Sequence, residues 1–479
     1  HIKNGTYKGT GNTNLTIDNN TPSTPLTPTK SVKKEDSNVV EITGANVRNY
    51  WSWDDDDPSS AEISDEILDA NAGKTFLIDQ KAFNILKRVN LIKFSGSITY
   101  VGKDNPTSYS TLWLNTDHGN NTKVANITFQ YTDERQLFRG ETTGGYYNAT
   151  VENCTFNANV ADFPENNLRL IEFTTGTEDS IDPVMIFKNS KINISAPANF
   201  LNFAQYFEGG WLGTVDPKVV PIRIGEEFTF ARATNNRRII FDSNNITISV
   251  SKDDGNSYAT LNAIMFSSSH AQFTNNNINL SGEKYLYGML CTSYSSHNNI
   301  SNNTFQINGQ RYTAGIYLTG GYLQNNTVAN NTITLVSSNS SSSVAEDSGY
   351  PIVIEDRRYI GGNYPPAEYP SGGELINNTV INNTIVVSGN NVYGIEHYGG
   401  TNTLIKGNRI NASGINPTGI VITGNGLSVE DNIIYITAQT NNTGTTADYF
   451  PAISGGIYAQ LCFNNTIKNN KVVTVNGSG

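Results

Sequence analysis

Two short stretches hold the side chains best suited to chemistry: Glu355-Asp356-Arg357-Arg358 and, about one repeat later, Glu396-His397-Tyr398. Two carboxyls at a fixed separation can hydrolyse a glycosidic bond, one acting as acid and the other as base or nucleophile. Carboxylate, guanidinium and phenol groups also satisfy sugar hydroxyls, so Glu355, Arg357, Glu396 and Tyr398 form a candidate glycan-binding patch. If the strands carrying them lie side by side, Glu355 and Tyr398 are about 5 Å apart between backbones, with Glu396 about 7 Å away on the diagonal. A third reading is plain charge pairing, Arg357 or Arg358 neutralising Glu355 or Asp356. Residue alternation sets His397 on the inward side, where a satisfied interior histidine is expected.

Other residue types point to weaker chemistry. The run Asp54-Asp55-Asp56-Asp57 offers carboxylate oxygens to a hard cation, but four consecutive acids cannot all face one ion and no Gly-turn loop with a distal Glu follows. Trp51, Trp53, Trp211 and the 24 tyrosines offer stacking surfaces for sugars, and cap packing explains the first two tryptophans equally well. Cys154, Cys291 and Cys462 share no metal spacing and read as core thiols. With no phosphate loop, zinc spacing or nucleophile motif, no metal and no cofactor are expected.

These residues must be held by a repeat. An Asn-Asn-Ile/Thr phrase followed by alternating apolar residues recurs at Asn244-Asn245-Ile246, Asn276-Asn277-Ile278, Asn302-Asn303-Thr304, Asn330-Asn331-Thr332, Asn382-Asn383-Thr384 and Asn464-Asn465-Thr466. A second phrase opens a short strand with glycine: Gly288-Met289, Gly315-Ile316, Gly394-Ile395, Gly419-Ile420 and Gly456-Ile457. The steps 315 − 288 = 27 and 419 − 394 = 25 fit three short strands and three bends per turn, and one extra coil falls at Pro351-Ile352-Val353-Ile354. Asn suits the bends because it tolerates left-handed backbone and its amide can bond the Asn of the next coil. The pattern predicts an all-β chain folded as a parallel β-helix with an N-terminal cap region and long loop insertions.

Four regions are expected. Residues 1–20 read as one isolated coil-like segment, 21–38 as a Thr/Pro-rich linker, 39–107 as the cap with a short helix over 59–69, and 108–479 as the β-helix. Insertions fall near 209–227, 337–350, 361–373 and 440–451, and no cap is evident beyond Val475. An open last coil and a detached strand segment suit strand addition between chains, with Thr6, Tyr7, Leu15 and Ile17 completing the last coil of another copy, head to tail.

Composition narrows the function. The 32 basic and 43 acidic residues give a net charge of −11 at only 16% charged residues, unlike a nucleic-acid binder. No apolar run is long enough for membrane insertion, and no signal peptide opens the chain. Asn-X-Ser/Thr sequons include Asn126, Asn148, Asn193, Asn245, Asn302, Asn330, Asn382, Asn411 and Asn464, candidate N-glycosylation sites that arise mostly from the bend phrase itself.

The stretch from Val39 to Phe94, with Asn49-Tyr50 and Asn90-Leu91-Ile92, followed by Asn-Asn-Ile/Thr coils and Gly-Ile strand starts, resembles the adhesin-like, Asn/Thr-rich surface proteins of methanogenic archaea. That resemblance spans most of residues 39–479. It implies a right-handed parallel β-helix, an extracellular, cell-surface location, and a structural or adhesive role without enzymatic activity. Partners would be copies of itself, other envelope proteins or surface glycans. The alternative expectation is a polysaccharide-processing β-helix enzyme or a phage-type receptor-binding spike.

Overall fold

The computed structural model describes residues 5–8, 14–17, 37–53, 58–115, 121–132, 136–142, 148–159, 168–175, 184–197, 219–225, 238–251, 260–267, 269–282, 285–291, 295–310, 313–319, 322–337, 348–355, 374–439 and 455–476. Two compact units divide at Val39 and Val40, and each is described by itself.

The larger unit is a parallel β-helix. Its three sheets, here sheets I, II and III, contain 16, 14 and 12 strands, and the chain visits them in that order once per coil. One coil runs through Thr313–Thr319 in sheet I, Thr327–Ala329 in sheet II and Thr332–Ser337 in sheet III. Each strand pairs in parallel with its counterpart one coil on, as Ile333 does with Ile385 and Ile385 with Ile410. Alternation sends every second side chain inward, so identical residue types stack. Phe187, Phe241 and Phe273 lie face to face at 5.1 Å per step. Columns of Ile, Val and Leu, fully buried, fill the remaining interior.

The corner between sheets II and III explains the Asn-Asn phrase. From Ala125 to Lys471 this connection is two residues long in every coil. Its first residue takes a left-handed conformation, as at Asn302 (φ 58°), Asn330 (55°) and Asn382 (55°). The second is buried, and its side chain accepts from the backbone N–H of the previous coil: Asn303 N–H to Asn331 Oδ1 at 2.9 Å, Asn331 N–H to Asn383 Oδ1 at 2.9 Å, Asn383 N–H to Asn408 Oδ1 at 3.0 Å. One asparagine turns the chain and its neighbour forms the ladder. The same ladder extends from Cys154 through Ser190 to Asn470. A shorter one, Asn298 to Asn326 to Asn378, lines the corner between sheets I and II.

The glycines of the second phrase also stack. A Cβ on Gly394 would lie 2.6 Å from the Gly419 carbonyl oxygen, and one on Gly419 would lie 2.5 Å from that of Gly456. Adjacent backbones therefore approach closer than any side chain permits. Pro351 occupies the column above Gly315, which places the extra coil where the sequence suggests it.

Coils with strands in all three sheets begin at Leu91–Phe94, earlier than the boundary expected at 108, because Thr99–Gly102 and Thr107–Ser108 already pair as sheets II and III. Before them, Trp51–Trp53 and Ser60–Ile63 pair antiparallel at the sheet I edge. The helix expected over 59–69 is in fact that second strand followed by a helix at Asp65–Ala70. A helix at Gln80–Leu86, capped by the Asp79 side chain accepting from Ala82 N–H at 2.8 Å, was not expected. Trp51 is buried against Phe94, as cap packing requires. The insertion expected over 209–227 is interrupted by a sheet I strand at Val219–Gly225. At the other end, Ile467 and Val472 are 48% and 42% exposed, whereas their neighbours Val429 and Ile434 in the same inward columns are fully buried.

The smaller unit corrects the expectation of a coil-like segment. Gly5–Lys8 and Asn14–Ile17 form an antiparallel hairpin, with Thr6 opposite Thr16, Tyr7 opposite Leu15 and Gly5 opposite Ile17. Only residues 9–13 separate the two strands in sequence, too few to supply the third strand of a coil between them. The residues assigned to assembly thus pair with one another. The linker 21–36 lies outside the described residues.

Candidate functional site

Connections between sheets differ sharply in length. Along the sequence, the long stretches between described strands adjoin sheet I strands: 198–218, 252–259, 338–347 and 440–454 come before one, 226–237 and 356–373 after one.

The outward side chains of sheet I form continuous rows. One row reads Lys93, Trp113, Arg139, Glu172, Arg223, Met265, Leu290, Tyr317, Val353, Glu396, Val421, Tyr458, each residue paired with the next across adjacent strands. The next row carries Thr319, Glu355, Tyr398 and Thr423 in the same way. The expected register holds: Val353 faces Glu396 and Glu355 faces Tyr398. The two carboxylates are diagonal neighbours, which for adjacent strands means about 7–8 Å between backbones.

Not all of these outward side chains face solvent. Tyr287, Leu290, Ala314, Tyr317, Tyr350, Val353, Tyr393 and Val421 are buried in a second apolar cluster outside the coil, with Tyr458 packed against it. Tyr287 stacks on Tyr317 at 5.6 Å and Tyr350 on Tyr393 at 5.1 Å. Glu355 sits in this setting at 5% exposure and accepts a hydrogen bond from the Tyr317 hydroxyl. Alternation after the strand-opening glycine puts Tyr317, Val353, Val421 and Tyr458 outside the coil, as found. It could not report their burial, because alternation reads the direction of a side chain and not what packs on it.

Glu396 and Tyr398 are half-buried, so this corner of sheet I brings together Glu355, Tyr317, Glu396 and Tyr398. Arg357, the fourth residue of the expected patch, lies outside the described residues, as do Asp54 to Asp57 and Trp211. His397 is interior and fully buried, its Nδ1 3.2 Å from the Thr423 carbonyl oxygen and its Nε2 3.0 Å from Thr403 Oγ1. Both ring nitrogens thus have partners inside the coil.

The first half of the same row has another chemistry, which the sequence reading missed. Lys93 Nζ lies 5.2 Å and the Arg139 guanidinium 5.8 Å from the Trp113 ring centre. Glu62 pairs with Lys93 at 3.2 Å, and buried Glu172 meets Arg223 at 3.8 Å and accepts from Gln136 Nε2 at 2.9 Å. Charges here are arranged in alternating contacts along the stack.

Sequon asparagines fall mostly elsewhere. Asn126, Asn302, Asn330 and Asn382 are the left-handed residues of the corner between sheets II and III, and Asn464 holds the equivalent place between sheets I and II. Asn193, Asn245 and Asn411 face outward from sheet III, and Asn148 is exposed just before a sheet II strand. Cys154 and Cys291 are buried free thiols and Cys462 is half-buried. Burial pushes the Cys154 thiol up to about 12 and raises that of Cys291 further. Among the described residues, no group of three or more His, Cys, Asp or Glu side chains could hold a metal ion, and no helix is long and apolar enough to cross a membrane.

No family model matches the sequence, and no curated protein does. Among solved structures, the A-module of the mannuronan C-5 epimerase AlgE6 of Azotobacter vinelandii is similar over 86% of this chain and 93% of its own, at 11% identity and a TM-score of 0.19. Numbers that low carry no argument about activity.

Proposed function

We propose that this chain is a non-enzymatic structural or adhesive protein of the cell surface, of the adhesin-like kind, whose β-helix displays loops along sheet I for contact with cells, host surfaces or other envelope proteins. The carrying observation is where the chain lengthens: the long stretches adjoin the strands of sheet I in sequence, while the corner between sheets II and III keeps two residues per coil. A scaffold that conserves its fold on one side and varies on the other suits presentation of contact surfaces. Within that face, Glu355, Glu396 and Tyr398 form a glycan contact. Glu355 held by Tyr317 fits a binding group better than a carboxyl poised to exchange protons.

A second reading, polysaccharide processing, draws on the diagonal placement of Glu355 and Glu396. One experiment separates the two. The whole chain and its Glu396→Ala, Tyr398→Ala variant are applied to a glycan array, and the bound glycans are then incubated with protein and assayed for new reducing ends or unsaturated sugars. Binding that the variant loses, without new ends, is the expected result. Product formation abolished by Glu396→Gln would replace adhesion with catalysis.

A further inference from the structure

Sheet III differs from the rest of the surface in charge. Among the described residues, its outward positions carry no acidic side chain and three cations, Lys191, Arg409 and Lys471. With a net charge of −11 overall, the remainder of the chain holds −11 − 3 = −14. Between Lys191 and Arg409, five successive coils present no charge at all: the middle outward positions are Thr247, Asn279, Gln306, Thr334 and Val386, flanked by Asn, Thr, Ser and one Val. Four of these five side chains are exposed and Thr334 is half-buried.

We propose that this face of sheet III is a docking surface for an uncharged polysaccharide chain. Hydroxyl and primary amide groups both donate and accept, the capacity that sugar hydroxyls require. Outward amides bond one another along the stack, Asn193 Nδ2 to Asn157 Oδ1 at 2.9 Å and Asn277 Nδ2 to Asn245 Oδ1 at 3.4 Å. Each such bond uses one of two N–H groups and one of several acceptor sites, and it fixes the amides in a regular row. No insertion overhangs the edge shared with sheet II, where every connection from Ala125 onward is two residues.

Size decides between partners. Five strands at about 4.8 Å and three outward positions about 6.8 Å apart make a strip of roughly 20 by 14 Å. A stable protein interface needs about 800 Å² per partner, well above the ~300 Å² this strip offers, so a second copy is disfavoured. A single sugar chain needs only a strip. An anionic polymer is disfavoured because the outward positions of those five sheet III strands carry no cation.

The site is distinct from the glycan contact on sheet I, and the test separates the two. Whole protein is passed over insoluble cellulose, xylan and chitin at low salt and at about 1 M salt, where screening shrinks to about 3 Å. Wild type is expected to bind at least one of them equally at both salt levels. The triple variant Asn279→Glu, Gln306→Glu, Thr334→Glu should lose retention by about tenfold, while Gln272→Glu, which adds a charge at an exposed position of sheet II, keeps it. Should the triple variant fail to fold by circular dichroism, Gln306→Glu alone is used and should lose about threefold. Three results overturn the proposal: wild type is held by none of the three, the acidic variant is held as well as wild type, or wild type sediments as a dimer that the acidic variant breaks. The last would assign the face to a second copy.

Discussion

Replacing Asn331 by Ala tests the division of labour within the Asn-Asn corner. Asn331 Oδ1 accepts from Asn303 N–H at 2.9 Å and from Asn303 Nδ2 at 3.0 Å, and its own Nδ2 donates to Asn383 Oδ1 at 3.0 Å and to the Ile300 carbonyl at 2.9 Å. After truncation, Asn303 Nδ2 keeps the Phe273 carbonyl and Asn383 Oδ1 keeps Asn331 N–H. Asn303 N–H and one acceptor site on Ile300 are left buried without these partners. At about 1–3 kcal/mol for each unsatisfied buried group, the cost is about 2–6 kcal/mol. Asn330→Ala, one residue earlier, only forces Ala into left-handed backbone at φ 55°, about 1–2 kcal/mol, and Asn330→Gly should cost next to nothing. Because long repeat arrays unfold piecewise, the measurement is native-state hydrogen exchange at Val328, Ile333 and Ile385, supported by denaturant midpoints. Should Asn331→Ala open these strands no more than Asn330→Ala does, the ladder is not what fixes the corner.

Gly394→Ala puts a methyl 2.5 Å from Ile410 Cγ2 and 2.6 Å from the Gly419 carbonyl oxygen, so it should destabilise the neighbouring coils by about 1–3 kcal/mol or more in the same exchange assay, whereas Gly73→Ala meets only its backbone strain. The Ser428 hydroxyl, then Lys468 and Lys406, hold Glu430 down at about 2. A depressed carboxyl stabilises the fold above its ordinary range and that contribution fades as pH falls from about 4.5 towards 2, so Glu430→Gln should flatten the acid limb of a stability titration in that window. Thiol reagents at neutral pH should label Cys462 first and leave Cys154 and Cys291 untouched until denaturant is added, as mass spectrometry of the labelled chain would read.

What could be read in advance followed from local rules. Coil length, three strands per turn and the inward His397 all come from alternation and bend chemistry, which act within a few residues. The two roles in Asn302-Asn303 were also within reach, since Thr304 faces outward and its predecessor must therefore face in. Residues 1–20 misled because Asn14-Leu15-Thr16-Ile17 repeats the coil phrase, yet strand pairing is chosen by loop length and not by the strand's own residues. With only residues 9–13 between them in sequence, the two strands can pair antiparallel but cannot make a parallel crossover.

Glu355 shows where local rules stop. Its register against Tyr398 was set by the repeat, but its 5% exposure and its bond from Tyr317 depend on what lies over sheet I. A carboxylate that alternation assigns to water becomes costly once its face is buried, unless a donor is supplied, and Tyr317 supplies it from the neighbouring strand. That donor is the diagonal neighbour of Glu355 on the preceding coil, as Glu396 is on the next, so its place followed from the repeat while its role as donor did not. The same logic argues that substituting Tyr317 affects Glu355 before it affects the coil: Tyr317→Phe keeps the stack on Tyr287 but removes the hydroxyl. Binding at sheet I should then weaken while hydrogen exchange in sheets II and III stays unchanged, and equal loosening of all three sheets would mean that the bond serves the fold and not the site.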